Sequence, residues 1–172
     1  MAKEVLNDEL LRENACFGCG LTNPAGLKIR VYRDTANSAR LLGEFEPSPQ
    51  MAGFPGITHG GAIFTALDCM ASWAGMILRA GPKAMWVLRS ASVKYRQPAF
   101  QEAPLKLSAE IEEQGAAWDP IVVRTEACDS QGRRLVEGRF NVVPLPPDRF
   151  LKIAGIREMP ENWSAWIDRI DQ

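Results

Sequence analysis

The stretch Gly53-Phe-Pro-Gly-Ile-Thr-His-Gly-Gly-Ala-Ile-Phe-Thr-Ala-Leu-Asp68 is the chemically loaded part of the chain. His59 is the only histidine, and Gly60 and Gly61 follow it at the start of a long apolar run. Glycine lets a ligand approach the backbone closely. The first N–H groups of a helix lack partners within it and sit at the positive end of its dipole. Such a terminus binds anions, and equally stabilises an oxygen that turns negative during a reaction. Asp68 is the second chemical group, on nearly the same helical face as Gly61. An aspartate buried in so apolar a helix needs a reason. Either it accepts hydrogen bonds that fix a register, or it works as general base or nucleophile.

Distance constrains the catalytic reading. A helix rises ~1.5 Å per residue, which separates Gly61 from Asp68 by roughly 10 Å along the axis. One reacting carbonyl cannot touch both groups of a single chain. If they share a site, two such helices run antiparallel across a two-fold axis, and the glycine end of one meets Asp68 of the other. An isologous pairing of this kind holds two equal sites. The catalytic reading therefore predicts an obligate dimer.

The rest of the sequence must position these groups. The chain has 172 residues, 46% hydrophobic and 24% charged, which suits one domain with small terminal additions. Its formal net charge of -1 argues against a nucleic-acid-binding domain, which needs an excess of Lys and Arg. Gly60 to Ala80 has the length of a bilayer span, but Asp68 near its centre would be costly in lipid. A buried helix in a soluble protein is the better reading, with no membrane partner. Such a helix is apolar nearly all round because something wraps it.

Residues 3–13 read as a short helix, followed by a Cys/Gly-rich loop from Cys16 to Gly26. Leu27, Ile29 and Val31 alternate with polar neighbours as a strand does, and Ala39 to Phe45 gives the next strand. Pro47 to Gly56 reads as irregular. After the helix, Val87–Arg96, Leu105–Glu112, Ile121–Cys128 and Arg134–Val143 read as four strands in an antiparallel meander. One helix against that sheet is an α+β layer architecture. Pro160 then opens a terminal amphipathic helix carrying Trp163, Trp166, Ile167 and Ile170.

Cys16 and Cys19 form a CxxC, with Cys69 and Cys128 elsewhere. Two ligands do not make a structural zinc site, and the other pair is not spaced as one. The pair reads first as small loop residues; redox chemistry and a metal shared between subunits are the other readings. Met1 to Asn14 is acidic and mixed rather than a secretory signal, so reduced thiols in a cytoplasm are the expectation.

The strand order, His59-Gly60-Gly61 with Asp68 beyond it, and the leader Cys16-Phe-Gly-Cys-Gly-x-x-Asn-Pro-x-Gly-Leu27 together resemble hotdog-fold acyl-CoA thioesterases, closest to the phenylacetic-acid-degradation type. The resemblance covers residues 16 to about 143. With the element reading, the chain divides into an N-terminal helix and Cys/Gly-rich leader over 1–25, a hotdog domain over 26–144 whose sheet, by this resemblance, wraps the helix, and a C-terminal helical extension over 145–172. It also implies a homodimer with aligned sheets, in which dimers often pair into tetramers. By this likeness Gly60 supplies the N–H that polarises the thioester carbonyl, and Gly61 allows close approach. The partner's Asp68 activates water or attacks directly, while His59 shapes the helix entry. Arg89, Lys94 and Arg96 become candidate contacts for the coenzyme A phosphates. No metal or redox cofactor is required; coenzyme A is part of the substrate.

Two positions depart from the family pattern. Many relatives carry Asn or Gln where this chain has Gly53, and Ser or Thr where it has Leu88. Ser90, two residues on, would share the strand face of Leu88 and substitute for it. These departures favour a rival reading, a protein that binds acyl thioesters without cutting them. A hydratase on the same fold ranks below both. That chemistry wants an acid–histidine pair, and His59 and Asp68 lie too far apart on one helix. Phe54, Phe64, Met70, Trp73 and Met76 either line an acyl tunnel or pack the core.

Overall fold

A computed structural model describes residues 5–81, 83–159, 161 and 163. Its centre is α2, Gly60–Leu78, a 19-residue helix without an internal proline. Ile63, Leu67, Met70 and Trp73 on it are 0–2% exposed. Each such side chain contributes about 1.5–3 kcal/mol by leaving water. The helix is long and apolar enough to cross a membrane, yet more than half of it is buried inside the domain. What buries it is one antiparallel six-stranded sheet.

The strands are β1 (Arg30–Arg33), β2 (Arg40–Phe45), β5 (Met85–Tyr95), β6 (Leu105–Gln114), β7 (Ile121–Cys128) and β8 (Arg134–Leu145), with the short β3 (Ala52–Phe54) and β4 (Ile57–Thr58) between β2 and α2. Their order across the sheet is β1-β2-β6-β7-β8-β5. The helix packs against β2, β5, β6, β7 and β8. Alternate residues of β7 and β8 turn inward, and Val123, Phe140 and Val142 are fully buried. Phe140 meets Phe64 of the helix with ring centroids 5.3 Å apart.

The expected α+β fold with one wrapped helix is present, with one change in strand pairing. Only β6, β7 and β8 form a meander; β5 lies at the far edge beside β8. The prolines at 98 and 104 bar a tight hairpin between β5 and β6. Residues 96–104 instead cross back over the entry to α2. There Ala99 O accepts from Thr58 N–H (2.8 Å), and Gln101 N–H donates to Gly56 O (3.1 Å). The segment expected to be irregular is also ordered, as a 3-10 turn over Pro49–Met51 and the β3–β4 hairpin.

The leader belongs to the same core. Leu6 on α1 (Leu6–Leu10), Leu11, Cys19 and Leu27 all pack into it. Asn7, 1% exposed, ties the leader down: its Nδ2 donates to Cys19 O and Ile29 O, both at 3.0 Å, and its Oδ1 accepts from Val31 N–H at 2.8 Å. The strand expected from Leu27 begins only at Arg30 because its first residues pair elsewhere. Leu27 N–H donates to Phe17 O and Ile29 N–H to Gly18 O, at 2.8 and 3.1 Å. Lys28 between them is left-handed (φ 58), and its Nζ donates to the carbonyls of Gly20, Leu21 and Asn23.

Beyond β8, α3 (Pro147–Ala154) ends at the left-handed Gly155, and Phe150 stacks on Trp163. The helix expected from Pro160, with Trp166, Ile167 and Ile170, lies outside the described residues, Glu161 and Trp163 excepted. Replacing Asn7 by Ala leaves one buried N–H and two carbonyls without their partner. It should lower stability by about 3 kcal/mol, read as a shift in the urea midpoint.

Candidate active site

The entry to α2 is built around its own cap. His59 is extended (φ -60, ψ 131), and its Nδ1 accepts from Gly61 N–H at 2.9 Å. His59 O accepts from Ala62 and Ile63 N–H. Gly60 N–H is left with no acceptor among the described residues. The two glycines are thus unlike: the donor of Gly61 is spent on the cap, and that of Gly60 is free. Gly60 also lies under Tyr95, whose hydroxyl donates to Gly60 O at 2.9 Å. A Cβ at residue 60 would meet that ring at 3.2–3.4 Å, which explains glycine there.

This terminus opens into a groove of about 560 Å³, lined among others by Gly53, Phe54, Thr58, His59, Tyr95 and Arg96. Gly53 leaves no room for a longer side chain on the helix side, because a Cβ there would lie 3.0 Å from His59 Cα. Thr58 is 4% exposed and its hydroxyl has no partner among the described residues, so it is a polar group on the groove wall that the sequence reading missed. Tyr95 was missed as well, since its role depends on β5 lying beside the helix end. Phe54 is 73% exposed at this groove, whereas Met70 and Trp73 lie in the core and Phe64 packs on Phe140. Of the candidate tunnel residues, only Phe54 lines the groove.

Asp68 does not line this groove. It is half-buried, and its Oδ1 is enclosed with no hydrogen-bond partner. Burial, with a smaller contribution from the neighbouring Cys16, pushes its carboxyl up to about 6. Among the described residues, no hydrogen bond satisfies its Oδ1 as a register device would, and no cation pairs with it. It is an ionisable group with raised proton affinity, as general-base chemistry requires.

The remaining predicted residues disperse. Strand β5 carries a bulge between Leu88, paired with Val142, and Ser90, paired with Asn141. Val142 is fully buried and Asn141 lies on the other face, so the bulge turns Ser90 outward. The expectation that Ser90 shares the face of Leu88 is corrected: the extra residue, Arg89, shifts the alternation by one. Ser90 instead lines a surface depression with Glu113 and Arg139. Lys94 faces another with Glu112 and Arg124, and Arg89 lies in a third beside Trp118 and Arg149. Only Arg96 borders the groove, and it is ion-paired with Glu137 at 2.5 Å. The three cations thus do not form one phosphate site within the chain.

Comparison with known proteins agrees with this architecture. Residues 55–136 match the family model described as the thioesterase superfamily. No curated protein matches the sequence. Among solved structures, the chain is similar to the Escherichia coli PaaI protein from the phenylacetic acid degradation operon, with TM-score 0.59 and 18% identity over 69% of this chain and 80% of that one. It is similar to a Streptococcus mutans UA159 protein bound to acetyl CoA, with TM-score 0.56 and 16% identity over 63% and 82% of the two chains. A hypothetical thioesterase protein of Streptococcus pneumoniae TIGR4, solved with coenzyme A, gives TM-score 0.56 and 18% identity over 63% and 80%. With its helix wrapped by the sheet, the domain has the hotdog fold of these solved structures, and its motif lies inside the segment that matches the thioesterase superfamily model.

Proposed function

We propose that the protein hydrolyses acyl-CoA thioesters at sites shared between two protomers. The observation that carries this reading is a pair of unsatisfied groups on one helix: the Gly60 N–H at its start and the Asp68 carboxylate further along. The thioester carbonyl oxygen would accept from Gly60 N–H, strengthened by the helix dipole as negative charge develops. The partner subunit's Asp68 would take a proton from water, or attack the carbonyl carbon itself. In the water route the hydroxyl adds to the carbonyl carbon, the C–S bond breaks, and the coenzyme A thiol leaves with a proton.

Two features support the dimer, and a third supports the substrate. The ~10 Å between the two groups prevents one chain from completing a site. β5 is an edge strand of 11 residues with a partner on one side only, and its Arg89–Ser92 stretch is exposed. A long free edge is an aggregation hazard unless another strand pairs with it. The solved structures with acetyl CoA or coenzyme A share this fold, which supports the substrate class.

A second reading has one observation in its favour. Gly53 stands against His59 where a water- or substrate-orienting side chain would be needed. A protein that holds acyl thioesters without cutting them would tolerate that gap. Tight binding of an acyl-CoA panel with hydrolysis at the background rate would select it.

Asp68→Asn should lower kcat/KM by about 100-fold or more while the protein remains folded and dimeric. Unchanged turnover would remove Asp68 from the mechanism. Mixing Asp68→Asn chains with Gly60→Val chains under exchange tests the shared site. Each heterodimer would regain one intact centre, so activity should rise to about a quarter of the wild-type level. A site contained in one chain would show no recovery. His59→Ala should cost about 1 kcal/mol of stability through the lost cap, seen by chemical denaturation.

A further inference from the structure

The leader and the helix bring together a cluster that the thioesterase reading does not use. Cys16 and Cys19 come from the CxxC loop, and Cys69 comes from the third turn of α2, on its buried face next to Asp68. Their sulfurs all lie within 4.8 Å of one another, and Cys16 Sγ stands 3.9 Å from Cys69 Sγ. The CxxC alone offered two ligands; the fold supplies the third, from far along the chain.

The geometry points to a zinc site, with the thiolates of Cys16, Cys19 and Cys69 as its protein ligands. Zn–S bonds of about 2.3 Å at tetrahedral angles place two sulfurs ~3.8 Å apart, close to the 3.9 Å between Cys16 and Cys69 and within about 1 Å of the 4.8 Å that bounds all three pairs. A disulfide would need one pair to close to about 2.05 Å and would leave the third sulfur out. The donor set is soft, as zinc–thiolate binding prefers. No other Cys, His, Asp or Glu among the described residues joins the group, so the fourth position falls to water.

The surroundings hold the sulfurs as a metal site would need. Gly18, between the two loop cysteines, lies directly against Cys69 Sγ, where any Cβ would collide with the sulfur. Cys16 N–H donates to Asn14 Oδ1 at 2.9 Å, and Gly20 N–H donates to Cys16 O at 2.9 Å, which closes the turn. Cys19 Sγ accepts from Trp73 Nε1–H at 3.4 Å and from Asn14 Nδ2 at 3.8 Å. N–H donors to a ligating sulfur are typical outer partners of such sites. Binding exchanges each thiol proton for an S–Zn bond and releases the protons to solvent. The ion would pin the leader to the helix one residue from Asp68.

The test uses the full chain, purified fully reduced and metal-free, and titrated with Co²⁺ and then Zn²⁺. The expected result is one Co²⁺ per chain, with thiolate-to-cobalt charge transfer and tetrahedral d–d absorption, displaced by one Zn²⁺. Zn²⁺ should also raise Tm. Cys69→Ser should weaken the affinity by about 100-fold, and so should Cys16→Ser, a milder change because Cys16 is only half-buried. Cys128→Ser should leave it unchanged. No Co²⁺ uptake by the reduced chain, a spectrum without thiolate charge transfer, or full binding in both serine variants would overturn the assignment.

Discussion

The fold depends on one constraint: a helix that is apolar on nearly every side must be enclosed. No single face of α2 can be offered to water at low cost, so the sheet curves round it and takes up Ile63, Leu67, Met70 and Trp73. Enclosure fixes what remains possible for polar groups on that helix. The first-turn N–H groups emerge only at the mouth, where β5 and the 96–104 connection border a groove. A carboxylate further along is half-buried, with one oxygen enclosed and no cation paired with it among the described residues.

Those two consequences meet at the same chemistry. The cap formed by His59 satisfies Gly61 and leaves Gly60 as the donor with a free direction. Tyr95 holds the Gly60 carbonyl and so fixes the plane of the peptide that follows. Asp68 is kept in an environment that disfavours its charge, which a protein tolerates where the charge has work to do. The tertiary structure thus keeps both groups unsatisfied, and the rise of the helix keeps them apart.

Much of this was legible in the sequence. Period-two alternation marked the strands, and the Gly81-Pro82 stop and the His59-Gly60-Gly61 start bounded the helix, because those signals are local. The edge position of β5 was not legible, since which strand pairs with β8 is settled by the path of 96–104 over the helix entry. The inward or outward sense of Ser90 was hidden for a related reason: a bulge leaves no mark in alternation that a single Arg–Ser step would betray. Cys69 as neighbour of the CxxC was invisible because its approach depends on how the leader folds back, held by Asn7 and by Lys28 hooking three carbonyls. Counting along the chain finds contacts within an element and misses those that the wrapping creates.

The irregularity at Arg89 has a wider implication for how this strand can change over evolution. It acts as a phase shifter: positions before it and positions after it obey opposite parity rules. Loss of that one residue would join Leu88, opposite Val142, directly to Ser90, opposite Asn141, so the ladder would close up and Ser92, Lys94 and Tyr95 would keep their present faces. A deletion is therefore absorbed at this one exposed point of the strand, whereas one elsewhere in β5 would turn the side chains on one side of it to the opposite face.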